Sequence, residues 1–179
     1  RQYPIQIPPV VAGAAPLEFT LAITRQESSF DPRARSGADA RGMMQFLPST
    51  GAAVARQLNM PFSADRLWDG DYNMTLGSYH LGDLTNRFGG SMLLATVGYN
   101  AGPARPAQWV ARCGDPRDGS INPVDFIECA PFTETRNYMM RVMENMAIYK
   151  ARLNGGAAPL TTSRDIARGV SEGPRPYQP

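Results

Sequence analysis

From Pro16 to Leu153 the apolar residues of this 179-residue chain recur at three- and four-residue intervals, and no stretch alternates β-branched with polar residues over a strand's length. That periodicity predicts an all-α globular domain with few or no strands. The segment "PLEFTLAITRQES" opens on Pro16, a good first-turn residue, and must stop where Asp31 precedes Pro32. Within it Thr20, Ile23 and Glu27 share a face, and Leu17 and Leu21 line the adjoining apolar stripe. "LPSTGAAVARQLN" reads as a second helix capped by Ser49 or Thr50. "DYNMTLGSYHLGDLTNRFGG" reads as a longer one, apolar at Met74, Leu76, Tyr79, Leu81, Leu84 and Phe88 and closed by Gly89 and Gly90. "SMLLATVGYN" is apolar enough to be buried, and "ARPAQWVARC" predicts a short helix. Asn122 caps "NPVDFIEC", with Pro123 in the first helical position. The last helix starts at Thr133, with Tyr138, Met139, Val142, Met146 and Tyr149 inward.

A chain of this length buries one sizeable core. The expected organisation is a Pro-rich linker over 1–15, one domain over 16–152 and a Gly/Pro-rich tail over 153–179, both ends extended or poorly ordered. The opening "RQYPIQIPPV" reads as a mature or trimmed start of something longer, without a signal peptide. Net charge is +2, which supplies no basic field for nucleic acid. Only Lys150 among the 18 basic residues is a lysine; a compositional bias explains that skew more economically than phosphate recognition. No apolar run approaches the roughly 18 residues of a membrane span.

Catalytic chemistry is narrowed by what is scarce. His80 is the one histidine, and Cys113 and Cys129 are too far apart for a CxxC pair, so a metal centre lacks ligands. There is no nucleophile elbow to go with His80, which sits at helical spacing as a packed or surface residue, and no Walker or GxGxxG loop. Carboxylates and tyrosines remain. Glu27 stands at the end of the first helix, where the macrodipole resists negative charge. A carboxyl kept protonated there is suited to general-acid work, whereas the plain alternative is a solvated helix-end Glu. Gln45 lies among Met43, Met44, Phe46 and Leu47, so if buried it must bond either backbone or a ligand. "VGYNAGPAR" follows a buried helix with Tyr99 and Asn100, which is either a helix cap and turn or a loop presenting polar groups.

Taken in order, "ITRQESSFDPRARS", "GADARGMMQFLPST", "GYNAGPAR" and "FIECAPFTETRNYMMRVM" resemble the catalytic domain of the soluble lytic transglycosylases, over about residues 16–150. The resemblance implies a lysozyme-like helical fold without metal or cofactor. It also implies a periplasmic enzyme that breaks the β-1,4 bond from N-acetylmuramic acid to N-acetylglucosamine in peptidoglycan, leaving a 1,6-anhydro product. Matched residue by residue, Glu27 is the family's single catalytic acid/base. Ser36, Met44, Gln45, Tyr99 and Asn100 fall where the family lines its saccharide groove. Glu128 matches a second acidic residue of the cleft, and Tyr138 belongs either to the groove or to the packing. Glu134 and Arg136 are expected to fix the start of the last helix, and Asp31 to cap the turn after Glu27.

Gly98, Met43 and Leu47 depart from the family pattern, Leu47 at a position where some members set Met against the substrate. In an oxidising compartment Cys113 and Cys129 either close a loop or remain thiols. "YPIQIP" resembles the linker to the helical superstructure of larger members. Two other readings stay open: a goose-type lysozyme, which would add water to the same bond, and a catalytically weak glycan-binding or scaffold module. The single Glu and the absence of an obvious second carboxylate favour the transglycosylase.

Overall fold

A computed structural model describes residues 2–155 of the chain. Seven α-helices lie within them: α1 (Leu17–Ser28), α2 (Pro48–Gln57), α3 (Gly70–Arg87), α4 (Met92–Ala101), α5 (Arg105–Cys113), α6 (Pro123–Cys129) and α7 (Thr133–Leu153), with a 3₁₀ turn at Ala64–Trp68 before α3. Extended pairing among the described residues is limited to isolated bridges from Arg41 to Arg35 and to Phe46. The all-α expectation holds.

The core is built round α1 and α4. Every residue from Leu17 to Thr24 except Glu18 is buried, as is every residue from Met92 to Gly98. A helix buried nearly all round must hide its own polar groups. Thr24, Thr85 and Thr96 do so by donating their hydroxyls to the carbonyl four residues back, at 2.8, 2.6 and 2.8 Å. The long α7 packs most extensively on α1 and next on α4, with Tyr138, Met139, Val142, Met146 and Tyr149 inward as their spacing predicts.

Helix ends follow the sequence signals with one correction. Asn122 caps α6 through Val124 N at 2.9 Å, and Ser91 caps α4 through Leu94 N at 3.1 Å. Neither Ser49 nor Thr50 caps α2: Pro48 is already helical and Leu47 is the N-cap, without a side-chain bond. The fixed φ of Pro48 already suits the first helical position, so the helix starts two or three residues earlier than a Ser49 or Thr50 cap would set it. Cys113 and Cys129, at the ends of α5 and α6, are joined in a disulfide.

The amino-terminal segment is extended, as expected, but it is not loose. Pro8, Ala14 and Ala15 are buried, and Ala15 N donates to Ser78 O of α3 at 2.8 Å. Gly82 makes this docking possible, since a Cβ there would lie 1.8 Å from Gly13 O. Farther out, Pro4 O accepts from the Tyr149 hydroxyl at 2.8 Å, and the Tyr3 ring meets the Tyr149 ring edge-on with centroids 5.7 Å apart. The segment is a strap laid across α3, α1 and α7. Its prolines and the likeness of "YPIQIP" to a family linker made it read as a linker; Gly82 and Gly13, small where the two backbones meet, let it pack. The expected tail lies outside the described residues beyond Gly155.

Candidate active site

The last turn of α1 carries Glu27 into a partly buried setting. The chain leaves the helix at once: Ser29 and Phe30 adopt left-handed φ values of 52° and 65°. Phe30 turns back on the core beside Tyr149, at 6.4 Å between centroids. Asp31 accepts from Arg33 N at 2.9 Å, so its carboxylate is spent on the turn, as expected.

Glu27 Oε1 accepts a 2.7 Å hydrogen bond from the hydroxyl of Tyr138, on the first turns of α7 and 111 residues away in sequence. Burial raises the Glu27 carboxyl from 4.5 to about 7. The Tyr138 bond favours the ionised form and opposes the rise; the negative charge of Glu134 adds to it. Desolvation wins, and Glu27 is left half protonated near neutral pH. Tyr138 and Tyr99 are both pushed well above the usual phenol range, first by burial and then by the Glu27 charge. They therefore stay protonated and serve as donors rather than bases. Burial pushes His80 down, so it is neutral where Glu27 titrates. His80 is packed between Phe46 and Tyr99, at 6.0 and 5.7 Å between centroids.

The wall beside Glu27 is the 41–46 loop, and it is fastened from three sides. Ser28 donates to Met43 O at 2.7 Å. Tyr99 donates to Met44 O at 2.6 Å. Asn73 of α3, fully buried, accepts from Met44 N at 2.8 Å and donates to Arg41 O and Leu67 O at 2.9 and 3.0 Å. Met44 itself is fully buried over Gly77, where any Cβ would sit 2.1 Å from its sulfur. Gln45 has φ 56°, and its Nε2 donates to Ala34 O and Gly42 O at 3.0 and 2.9 Å. Of its two open readings, the backbone-bonded one is what its amide nitrogen adopts. Asn100 at the end of α4 accepts from Thr135 at 2.8 Å, which ties the α4 terminus to the start of α7. Arg136 donates to Ala130 O and Thr133 Oγ1, fixing the α7 start as expected.

Glu27, Tyr138, Tyr99, Met44 and Gln45 thus come together through α1, α4, α7 and one loop, with Asn100 joined through Thr135. No hydrogen bond or ion pair joins Ser36 or Glu128 to them. Ser36 is exposed, and its hydroxyl accepts from Ala40 N at 3.0 Å. Glu128 is exposed at the end of α6 beside the disulfide. Sequence reasoning missed Asn73, Ser28 and Thr135. The one available signal was an Asn inside the apolar run "YNMTL", which has to find partners if buried.

A helical fold, a carboxyl raised by burial at a helix end and a pinned loop are the features that a carboxyl-dependent acid/base site requires. The Transglycosylase SLT domain family matches residues 12–121, and the chain belongs to that family. It is 33% identical over 137 residues to the soluble lytic murein transglycosylase of Escherichia coli K12, an alignment covering 75% of this chain and 21% of that protein. The crystal structure of the 70 kDa soluble lytic transglycosylase from Escherichia coli superposes with a TM-score of 0.75 at 29% identity, over 94% of this chain and 26% of that one. An inactive Glu-to-Gln mutant of the lytic transglycosylase Slt from Pseudomonas aeruginosa superposes at 0.70 with 35% identity, covering 80% and 23%. The chain spans about a quarter or less of the length of these relatives.

Proposed function

We propose that this chain cleaves the glycan strands of peptidoglycan between N-acetylmuramic acid and N-acetylglucosamine by lytic transglycosylation. The observation that carries the reading is the Glu27 carboxyl, raised to about 7 by burial while Tyr138 holds one of its oxygens. In the first step protonated Glu27 gives its proton to the glycosidic oxygen, and the C1–O bond breaks as the muramyl ring takes on oxocarbenium character. The Glu27 carboxylate then takes the proton from the muramyl C6 hydroxyl as that oxygen bonds to C1, closing the 1,6-anhydro ring. Proton count balances and no water is consumed. A pKa near 7 suits a group that must give and then take the same proton.

The remaining residues divide into two roles. Met44, Gln45 and Tyr99 form the wall; the Tyr99 hydroxyl is occupied by Met44 O, so it shapes the groove rather than protonating substrate. Asn100, Ser36 and Glu128 are the polar groups left for sugar hydroxyls and acetamido groups, and exposed Leu47 offers an apolar edge. A periplasmic location is supported by the Cys113–Cys129 disulfide, which persists in oxidising compartments. No helix among the described residues is long and apolar enough to cross a membrane.

Mass spectrometry of muropeptides released from purified sacculi tests the reading, beside a Glu27→Gln control. Products one water lighter than hydrolytic ones, lost in the control, are expected. Water-added products would assign the lysozyme reaction instead and single out Glu134, the carboxylate whose charge reaches Glu27, as its second carboxyl. No Glu27-dependent product would leave a glycan-binding module.

A further inference from the structure

Glu27 is followed almost at once by a turn that a chain of L-residues resists. Ser29 and Phe30 take left-handed φ values of 52° and 65° in succession, and for a side chain as bulky as Phe30 that is an outlier. Such conformations persist where the surroundings over-determine them, and they gather at functional sites. One restraint is local: Ser29 N donates to Arg25 O at 3.0 Å and closes the last turn of α1. It does nothing to hold Phe30.

The other restraints come from far away in sequence. The Phe30 ring lies against that of Tyr149 on α7, and Tyr149 is fully buried. The strap fixes Tyr149 in its turn: the hydroxyl donates to Pro4 O at 2.8 Å, and the Tyr3 ring stands at 78° to the Tyr149 ring. Burial pushes the Tyr149 hydroxyl up to about 12, so it remains a donor wherever Glu27 titrates. Arg152 of α7 donates to Tyr3 O and holds the same stretch of strap. Arg25 completes the circuit from α1, its guanidinium 4.0 Å from the Tyr3 ring centroid and donating to Gln2 O. Contacts thus run from Arg25 through the strap to Tyr149 and Phe30, and back through Ser29 to Arg25.

We infer that Tyr149, Phe30 and the first residues of the strap are positioning residues for Glu27. The strap fixes Tyr149, Tyr149 fixes Phe30, and Phe30 holds the left-handed turn that sets where α1 stops and how its last carboxyl is presented. Gln2, Tyr3, Pro4 and Tyr149 lie outside the residues 12–121 that the SLT family matches, so membership assigns them no role. The same turn carries Ser28, whose hydroxyl donates to Met43 O, so the circuit steadies the groove wall together with the acid. That this positioning serves glycan cleavage rests on the proposed function; that it sets the environment of the Glu27 carboxyl does not.

Glutamate labelled with ¹³C at its side-chain carboxyl lets the titration of Glu27 be followed by NMR in the full chain without substrate, its signal assigned by its loss in Glu27→Gln. Tyr149→Phe deletes only the hydroxyl that reaches Pro4 O. A turn loosened in this way returns Glu27 toward water, and its acid constant should rise about threefold or more. Phe30→Gly keeps the left-handed turn without steric penalty but removes the ring, and should shift the titration at least as far in the same direction. Because Tyr149 acts through Phe30, the double variant should move no further than Phe30→Gly alone. Arg25→Gln removes a cation, which by charge alone would raise the carboxyl pKa, so a fall there reports the strap. The groups that act electrically on Glu27, namely Tyr138 and Glu134 from α7 and Tyr99 from α4, are untouched in every variant. An unmoved titration in Tyr149→Phe overturns the inference, as do additive shifts in the double variant or a rise in Arg25→Gln. Cleavage of sacculi is assayed separately, so a chain that cleaves nothing overturns the proposed function and leaves the titration legible.

Discussion

The acidity of Glu27 has a cost in stability that pH exposes. An unfolded Glu ionises near 4.5, whereas the folded carboxyl holds its proton to about 7, so between these values the folded state binds more protons. Stability then falls as pH rises through that window, by at most about 3 kcal/mol. Glu27→Gln should therefore abolish turnover and, in thermal melts, gain on the wild type at pH 8 but not at pH 4. Tyr138→Phe removes the bond that favours the carboxylate, which should raise the Glu27 pKa further and move the alkaline limb of the pH–rate profile upward. A downward move would show that Tyr138 does not govern the proton. Glu27 was a candidate from its place at a helix end, where a solvated Glu was the plain alternative, and became legible as the acid only through the four motifs that follow in order. Tyr138 was not assignable to it, because no local rule links two residues on opposite ends of a chain. Nor was the set of Gln45, whose backbone bonds depend on a left-handed φ that an apolar run does not advertise.

Helices were readable as elements because their faces are periodic, while what fastens them was not. The 41–46 loop depends on Tyr99, Asn73 and Ser28, each a polar residue in an otherwise apolar setting. Tyr99→Phe leaves the Met44 carbonyl without its donor and should cost about 1–3 kcal/mol by denaturant unfolding, with a larger loss in kcat/KM as the wall slackens. The strap was read as a linker from its prolines and its likeness to a family linker, yet Gly82 against Gly13 gives it a seat. Gly82→Ala sets a methyl against that backbone and should destabilise by roughly 1–3 kcal/mol, with limited proteolysis cutting ahead of Ala14. An unchanged cleavage pattern would mean the strap is held elsewhere.

For the whole molecule, the disulfide joins the ends of α5 and α6 across a sequence separation of 16. Reduction should lower stability by about 3 kcal/mol on the chain-entropy account, a Tm loss of roughly 6–12 °C. That α5 and α6 lie next to one another was open in the sequence, since two cysteines specify a link only when the compartment is known.

The hydrogen bond between Glu27 and Tyr138 joins the first helix to the last, and this gives the chain an order in time. A polypeptide emerges from its amino end, so α1 is complete while α7 has still to be made. Until Thr133 and the turns after it dock, Glu27 lacks the Tyr138 hydroxyl that holds one of its oxygens and the cover that α7 lays on α1. The site that works with the proton is complete only when the final helix closes over the first, so a chain cut short before α7 carries the acid's residue without its full setting.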